Sequence, residues 1–304
     1  MMRPVTIAAA DFHVDERQLS RPLTIIAYGD MRFTDPKETD ATNPKVRRLV
    51  DKIAAEKPDA VLLSGDIPWH GGTADDYAVC RAETKAWRDA TLRVYPAEGN
   101  QEFSGGLERE CLENWWRTFP ELRGRRYYSV QAGNSIYVPN LDSDLPLASA
   151  SEQMTWVKSR LDSMPLTVRF LLVNLHHPPV VDFQPDGDDS HNGRPNEAAL
   201  ANLLANAPQK SRVRFLVAGG RIHNYERFVR DGVVYIVSGG GGAKPRPVTR
   251  HEGDLYQDTG LPNHHFVRLK IDGARLQRTM VRVADPTATK PSWQENDRFE
   301  IGAP

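Results

Sequence analysis

Short apolar runs closed by turn residues alternate with stretches of helical periodicity from about residue 24 onward. "LTIIAYGD" (23–30) predicts a strand, "NPKVRRLVDKIAAEKP" (43–58) a helix capped by Asn43 with Pro44 at its first position, and "DAVLLSGD" (59–66) a second strand. That is a βαβ unit. One long helix is expected over "TADDYAVCRAETKAWRDATL" (73–92), a third strand at "RVYPAEGN" (93–100) and a helix at "LERECLENWWRTF" (107–119). The pattern then changes: "RYYSVQAGNSIYVPNLDSD" reads as a hairpin turning at Gly133-Asn134 and running into an acidic loop. A helix capped by Ser149 with Glu152, the strand "VRFLLVNLHHPP", the helix "NEAALANLLANA" and the strand "VRFLVAGG" follow. Two more hairpins turn at Asp231-Gly232 and Asp272-Gly273. A long polar loop is expected between Val181 and Pro195, and little pattern is visible after Asp285.

Helix-linked strands in the first half and hairpins in the second fit an α/β fold in which two mixed β-sheets pack face to face as a sandwich with helices outside. A purely parallel sheet has no place for the hairpins. The chain is divided into an N-terminal extension (1–22), one large domain (23–285) and a C-terminal tail (286–304), a length that one two-sheet domain accommodates.

Five of the apolar runs end in a side chain able to bind a metal: Asp30, Asp66, Asn100, His176 and His223. In open α/β sheets ligands bind beyond the carboxyl ends of the strands, so these five are expected to converge. Two carboxylates, an amide and two imidazoles suit a divalent or trivalent ion such as Mn, Fe or Zn. A single Gly-Asp or Gly-Asn is most often just a turn. Five strand-end ligands in succession are a different matter. Gly29, Gly65 and Gly99 precede three of them and are expected to allow the sharp turn that aims the next side chain inward.

Lys and Arg number 39 against 40 Asp and Glu, so no strong global field recruits nucleic acid or an anionic membrane. No apolar run is long enough to span a bilayer, and the first 18 residues are too weakly apolar for a convincing secretory leader. A cytoplasmic location is the default expectation, though the mature form of an exported protein reads the same. Cys80 and Cys111 fall in predicted helices and read as buried thiols.

"GGRIHNYERF" followed by "DGVVYIVSGGGGA" resembles the purple acid phosphatase branch of the calcineurin-like metallophosphoesterases, and the resemblance runs from about Leu23 to Val283. It implies a centre of one or two metal ions acting on a small-molecule phosphate ester. Asp30 and His223 would hold the first ion, Asp66 would bridge, and Asn100 and His176 would hold the second. His177 would pack behind them. Trp69 stands at the position of a tyrosine ligand, which rules out a ferric-tyrosinate centre here.

Three family positions have changed: Arg32 and Arg221 replace histidine ligands, and Gln101 replaces the general-acid histidine. A guanidinium opposes a metal in the same place but grips phosphate with a bidentate fork. Gln101 donates a hydrogen bond but no proton, and His70 is a candidate substitute. "DFH" at Asp11–His13 mimics the Asp-x-His motif without the preceding strand and is set aside as a decoy. Trp69, Trp115, Trp116 and Tyr225 are candidates for an aromatic rim, and Arg227 for an ion pair with Glu226 or an acidic loop. Two functions follow: a metal-dependent phosphoesterase with an altered site of one or two ions, mononuclear in the extreme, or a pseudophosphatase that binds phosphorylated ligands through Arg32 and Arg221.

Overall fold

The computed structural model describes residues 10–35, 46–182, 193–258, 260 and 263–304. Asn43 and Pro44, and most of the loop expected between Val181 and Pro195, lie outside these. Among the described residues thirteen strands form two sheets, with six α-helices around them.

The first sheet contains β1 (Phe12–Val14), β5 (Tyr128–Ala132), β6 (Ile136–Asn140), β7 (Phe170–Asn174), β8 (Arg214–Gly219), β9 (Tyr225–Arg230) and β10 (Val233–Ser238). Their order is β1-β5-β6-β7-β8-β10-β9, with β6, β7, β8 and β10 parallel. The second sheet holds β2 (Leu23–Tyr28), β3 (Ala60–Ser64), β4 (Val94–Ala97), β11 (His265–Asp272), β12 (Arg275–Val283) and β13 (Trp293–Gly302), in the order β13-β12-β11-β2-β3-β4. Here β2, β3 and β4 run parallel and the hairpin side antiparallel.

Side-chain alternation explains the packing. Along β7 and β8, Leu172, Leu216 and Ala218 face the second sheet, whereas Leu171, Val173, Phe215 and Val217 face outward to a separate apolar layer. That outer layer is closed by α5 (Glu152–Asp162) and α6 (Pro195–Asn206) through Val157, Leu161, Leu200 and Leu204. On the far side α1 (Leu49–Glu56), α2 (Ala74–Glu83) and α3 (Lys85–Asp89) contribute Leu49, Ile53, Tyr77 and Trp87, and α4 (Glu108–Thr118) contributes Trp115. The result is the expected sandwich of two mixed sheets with helices outside.

Local differences from the sequence reading have local causes. The helix expected over 73–92 breaks at Thr84, whose hydroxyl bonds the Cys80 carbonyl at 2.7 Å and bends the chain between α2 and α3. Ser151, not Ser149, caps α5, accepting from the Met154 N–H at 3.3 Å. Trp293–Gly302, within the segment read as a patternless tail, is an edge strand on β12. Only Trp293, Phe299 and Ile301 of it pack on the core, so its alternation is sparse. Phe12–Val14, in the segment read as an extension, pairs with β5. Cys80 and Cys111 are buried and unpaired.

Candidate metal centre

The five strand-end side chains come together at one end of the sandwich. Asp30 and Asp66 stand two residues beyond β2 and β3, Asn100 three beyond β4, His176 two beyond β7 and His223 four beyond β8. Backbone bonds tie the loops across the two sheets: Asp30 N–H to Gly65 O (3.1 Å), Arg32 N–H to Asp66 O (2.9 Å) and Gly220 N–H to His176 O (3.0 Å).

The backbone is strained here. Asp30 (φ 60°), Arg32 (48°), Asp66 (54°) and Arg221 (68°) all take the left-handed conformation, at a cost of roughly 1–2 kcal/mol each. In Gly29-Asp30 the Asp alone takes the left-handed conformation, whereas in Gly65-Asp66 both residues do, Gly65 at φ 81°. Gly99 serves a different purpose, since its own backbone is extended (φ −125°) and a Cβ there would lie 2.7 Å from both Asp66 Oδ1 and His176 Cγ. Gly220 likewise leaves room for Asp30 Oδ2, which a Cβ would approach to 2.4 Å.

Acceptors face acceptors at the centre. His176 Nδ1–H donates to the Ser64 carbonyl at 2.8 Å, which directs its Nε2 toward Asn100 Oδ1 at 3.1 Å and Asp66 Oδ1 at 3.3 Å. His223 Nδ1–H donates to Lys244 O at 3.0 Å, and its Nε2 stands 3.5 Å from Asp30 Oδ1. Asp30 Oδ1 accepts no hydrogen bond among the described residues. Ligand atoms of Asp30, Asp66 and His176, all fully buried, lie within 4.8 Å of one another. Such a set calls for a cation, and the donors fit one. This compact trio contains His176, whereas the first-metal trio implied by the resemblance contains His223.

Burial dominates the electrostatics. It pushes the Asp30 carboxyl up to about 7, with the Asp66 carboxylate acting in the same direction and His176 against it. Asp66 is equally buried, yet His176, Arg32 and the Gln101 N–H together hold its carboxyl below the ordinary range. Burial and then Arg32 push His223 down to about 3, so its imidazole is neutral at physiological pH, as a ligand must be.

Both replacement arginines turn inward. Arg32 contacts Asp66 Oδ2 at 2.9 Å and lies over the Trp69 ring, 5.5 Å from its centroid. Arg221 donates from its guanidinium to Asn100 Oδ1 at 2.5 Å and from its backbone N–H to Asp30 Oδ2 at 2.9 Å. The Gln101 N–H donates to Asp66 Oδ1 at 3.0 Å, and its side-chain oxygen accepts from the Ser104 hydroxyl at 3.2 Å. His70 is placed beside the centre rather than among its ligands, its Nδ1 2.9 Å from the Ser104 hydroxyl. His177 packs behind, bonded to Ser143 at 2.8 Å.

Sequence reasoning overlooked Glu102, although "GNQE" contains it. Fully buried, it gathers the N–H groups of Gly99 (2.7 Å), Ile67 (2.8 Å) and Asp66 (3.0 Å) and so fastens two ligand loops together. Asp144 was overlooked too, and it shares a hollow of about 380 Å³ with Asn100 and Arg126. Burial, then Asp142, push it up to about 6.

Of the four rim aromatics only Trp69 lines a hollow beside the centre; Trp115 and Tyr225 are core, and Trp116 packs partly buried against it under Arg123. Their bulk satisfied the core first. Arg227 pairs with Asp297 at 2.9 Å, not with Glu226. Asp11 accepts from Ser129 at 2.9 Å and is no part of the centre.

The model of one protein family, described as calcineurin-like phosphoesterase, matches residues 6–239. The chain is 30% identical over 256 residues to the 3',5'-cyclic adenosine monophosphate phosphodiesterase CpdA of Pseudomonas aeruginosa, covering 80% of this chain and 82% of that one. It is 24% identical to purple acid phosphatase 15 of Arabidopsis thaliana, over 67% of this chain and 44% of that protein. Among solved structures, purple acid phosphatase PPD1 from yellow lupin (Lupinus luteus) seeds superposes with a TM-score of 0.73 at 20% identity, over 92% of this chain. The chain spans about half the length of the lupin protein, 53% of it.

Proposed function

We propose, for a chain that belongs to the calcineurin-like phosphoesterase family, hydrolysis of a small-molecule phosphate ester at a site built for one cation. The observation that carries this reading is the convergence of buried acceptors from Asp30, Asp66 and His176, joined by Asn100 and His223. Mn, Fe or Zn suits that donor set, and an ion held there supplies Lewis-acid chemistry and activation of water. A second ion is opposed because the Arg221 guanidinium already stands on Asn100 Oδ1 at 2.5 Å. A unit charge at about 4 Å from another is worth roughly 4 kcal/mol at an effective dielectric of 20, and a dication doubles it.

The chain's own residues do the rest. Arg221 and Arg32 clamp the phosphate oxygens as fixed positive charges. Gln101, its oxygen engaged by Ser104, presents its amide N–H groups to the ester, and His70 fixes Ser104 in turn. Asp144, carrying its proton up to about pH 6, is the group we assign to protonating the leaving oxygen. Because a carboxyl in an open hollow is a poorer substitute for the missing histidine, aryl esters are expected to react faster than alkyl esters.

One observation favours a second reading. Arg32 on Asp66 and Arg221 on Asn100 neutralise the acceptors without a metal, which suits a pseudophosphatase that only binds phosphorylated ligands. Stripping the protein with chelator, reloading it with Mn, Fe or Zn, and measuring bound metal by mass spectrometry alongside aryl phosphate turnover separates the two. Hydrolysis with about one ion per chain is expected; absence of both metal and turnover sinks the enzyme reading.

A further inference from the structure

We propose that the hollow on the His223 side of the centre is a subsite for a second phosphate, so that the preferred ligands carry two phosphoryl groups rather than one. The proposal rests on the phosphate-binding reading above, which both the enzyme and the binder share.

The hollow, of about 340 Å³, is lined by Arg32, Trp69, His223, Lys244 and Arg246, together with Ala243 and Pro245. Among these described residues three are cationic and none is acidic. It shares Arg32 and His223 with the centre, so a ligand whose first phosphate sits at Asp66 and Arg221 has its next group directed here.

The loop carrying the two added cations is fixed to the metal-binding turns by its backbone. Ala243 N–H donates to Asp30 O at 3.0 Å, Arg246 N–H to His223 O at 3.1 Å, and the Asn224 side-chain amide to Arg246 O at 2.7 Å. His223 itself donates to Lys244 O at 3.0 Å. Four hydrogen bonds thus set where Lys244 and Arg246 begin. Lys244 is exposed and Arg246 half-buried.

Lysine supplies a mobile point charge and arginine a planar fork, the usual pair for phosphate oxygens. Trp69 stacks on Arg32 at 5.5 Å and holds the third cation on the boundary between centre and hollow. A nonpolar leaving group gains nothing from three cations lining one hollow. A second phosphate does.

The test uses the full, metal-loaded chain and two nonhydrolysable probes, phenylphosphonate and benzene-1,3-bisphosphonate, whose two groups stand too far apart to strip the ion. Isothermal calorimetry should show the bisphosphonate binding about tenfold tighter or better, the size of one charge-assisted contact. In the Lys244→Ala/Arg246→Ala double variant the two probes should bind within about threefold of each other, with phenylphosphonate affinity changed less than about threefold. The charge-conserving pair Lys244→Arg and Arg246→Lys should keep the preference, which a merely structural role for the loop does not explain. Equal binding of the two probes by the natural protein, or a preference that survives in the double variant, overturns the proposal. Binding needs no turnover, so failure of hydrolysis leaves this result readable.

Discussion

Two charge clusters meet at the start of β9, His223 of one standing just before the strand and Tyr225 and Arg227 of the other on it, and they are built on opposite principles. Around Asp297 a carboxylate is surrounded by donors: Tyr225 O–H and Arg227 Nε and Nη2 at 2.9 Å each, with the Arg278 guanidinium closer still. A bulge in β13 opposite Arg278 and Met280, with Asp297 at φ 41°, turns that carboxylate inward. Around Asp30 and Asp66 lone pairs from three other residues, Asn100, His176 and His223, converge, and one carboxylate oxygen accepts no hydrogen bond among the described residues. A cluster whose charges are already answered holds sheets together. A cluster that leaves an acceptor unanswered is suited to a ligand, and four left-handed residues, Asp30, Arg32, Asp66 and Arg221, surround this one.

The contrast breaks most sharply by mutation at the two carboxylates. Asp30→Asn should lower aryl phosphate turnover by about 10³-fold or more, since several kcal/mol of charge stabilisation goes with the ion. The same variant should fold at least as stably as the metal-free parent, because it removes a charge buried beside another. Asp297→Ala should do the reverse. Stripping a buried arginine of its partner costs roughly 3–5 kcal/mol, a fall in melting temperature on the order of 5–15 °C, with metal content unchanged. Calorimetric melting with metal analysis on both variants checks the pair, and a destabilised Asp30→Asn that still binds metal would erase the distinction.

This difference also decides what was legible in the sequence. The candidate ligands Asp30, Asp66, Asn100 and His176 each close an apolar run, so the pattern that forms the strands also marks the place where they converge. His223 was found the same way, four residues past β8. The Asp297 cluster left no such mark: it joins Tyr225, Arg227, Arg278 and Asp297 from three strands, and its strand β13 packs too few apolar residues to show a period. Glu102 and Asp144 were missed for a related reason, since such carboxylates are identified by the donors and hollows that topology brings to them. The direction of Arg32 and Arg221 was equally hidden, because a guanidinium on a strand-end loop can face solvent or the centre and only packing chooses.

Gln101 tests how far the site has drifted from acid catalysis. Replacing it by His should raise turnover of alkyl phosphates by about 10²-fold, the low end of what a positioned general acid contributes, and aryl phosphates much less. Steady-state kinetics on a matched aryl and alkyl ester reads the ratio directly. If both esters gain equally, the histidine is contributing binding rather than a proton, and Asp144 already supplies the acid. An Asp144→Asn variant then loses that activity and, with it, the decline expected as pH rises through about 6.

The smallest effect is a slope. Asp30 is pushed up to about 7 in the folded, metal-free chain, well above its ordinary value of 3.8. Between these two values the unfolded chain has released the proton and the folded chain retains it, so folding takes up a proton and stability falls as pH rises. One such group changes the unfolding free energy by up to about 1.4 kcal/mol per pH unit, so roughly 2 kcal/mol should be lost between pH 5 and 7. Asp144 and Asp182, each pushed up to about 6, and Glu226, pushed up to about 8, slope the same way. The part due to Asp30 is therefore the difference between the parent and Asp30→Asn in urea titrations at matched pH. A cation displaces the same proton, so loading the parent with metal should flatten the slope, whereas Asp30→Asn should respond to metal at no pH. An identical slope in parent and variant would place the unanswered charge elsewhere than Asp30.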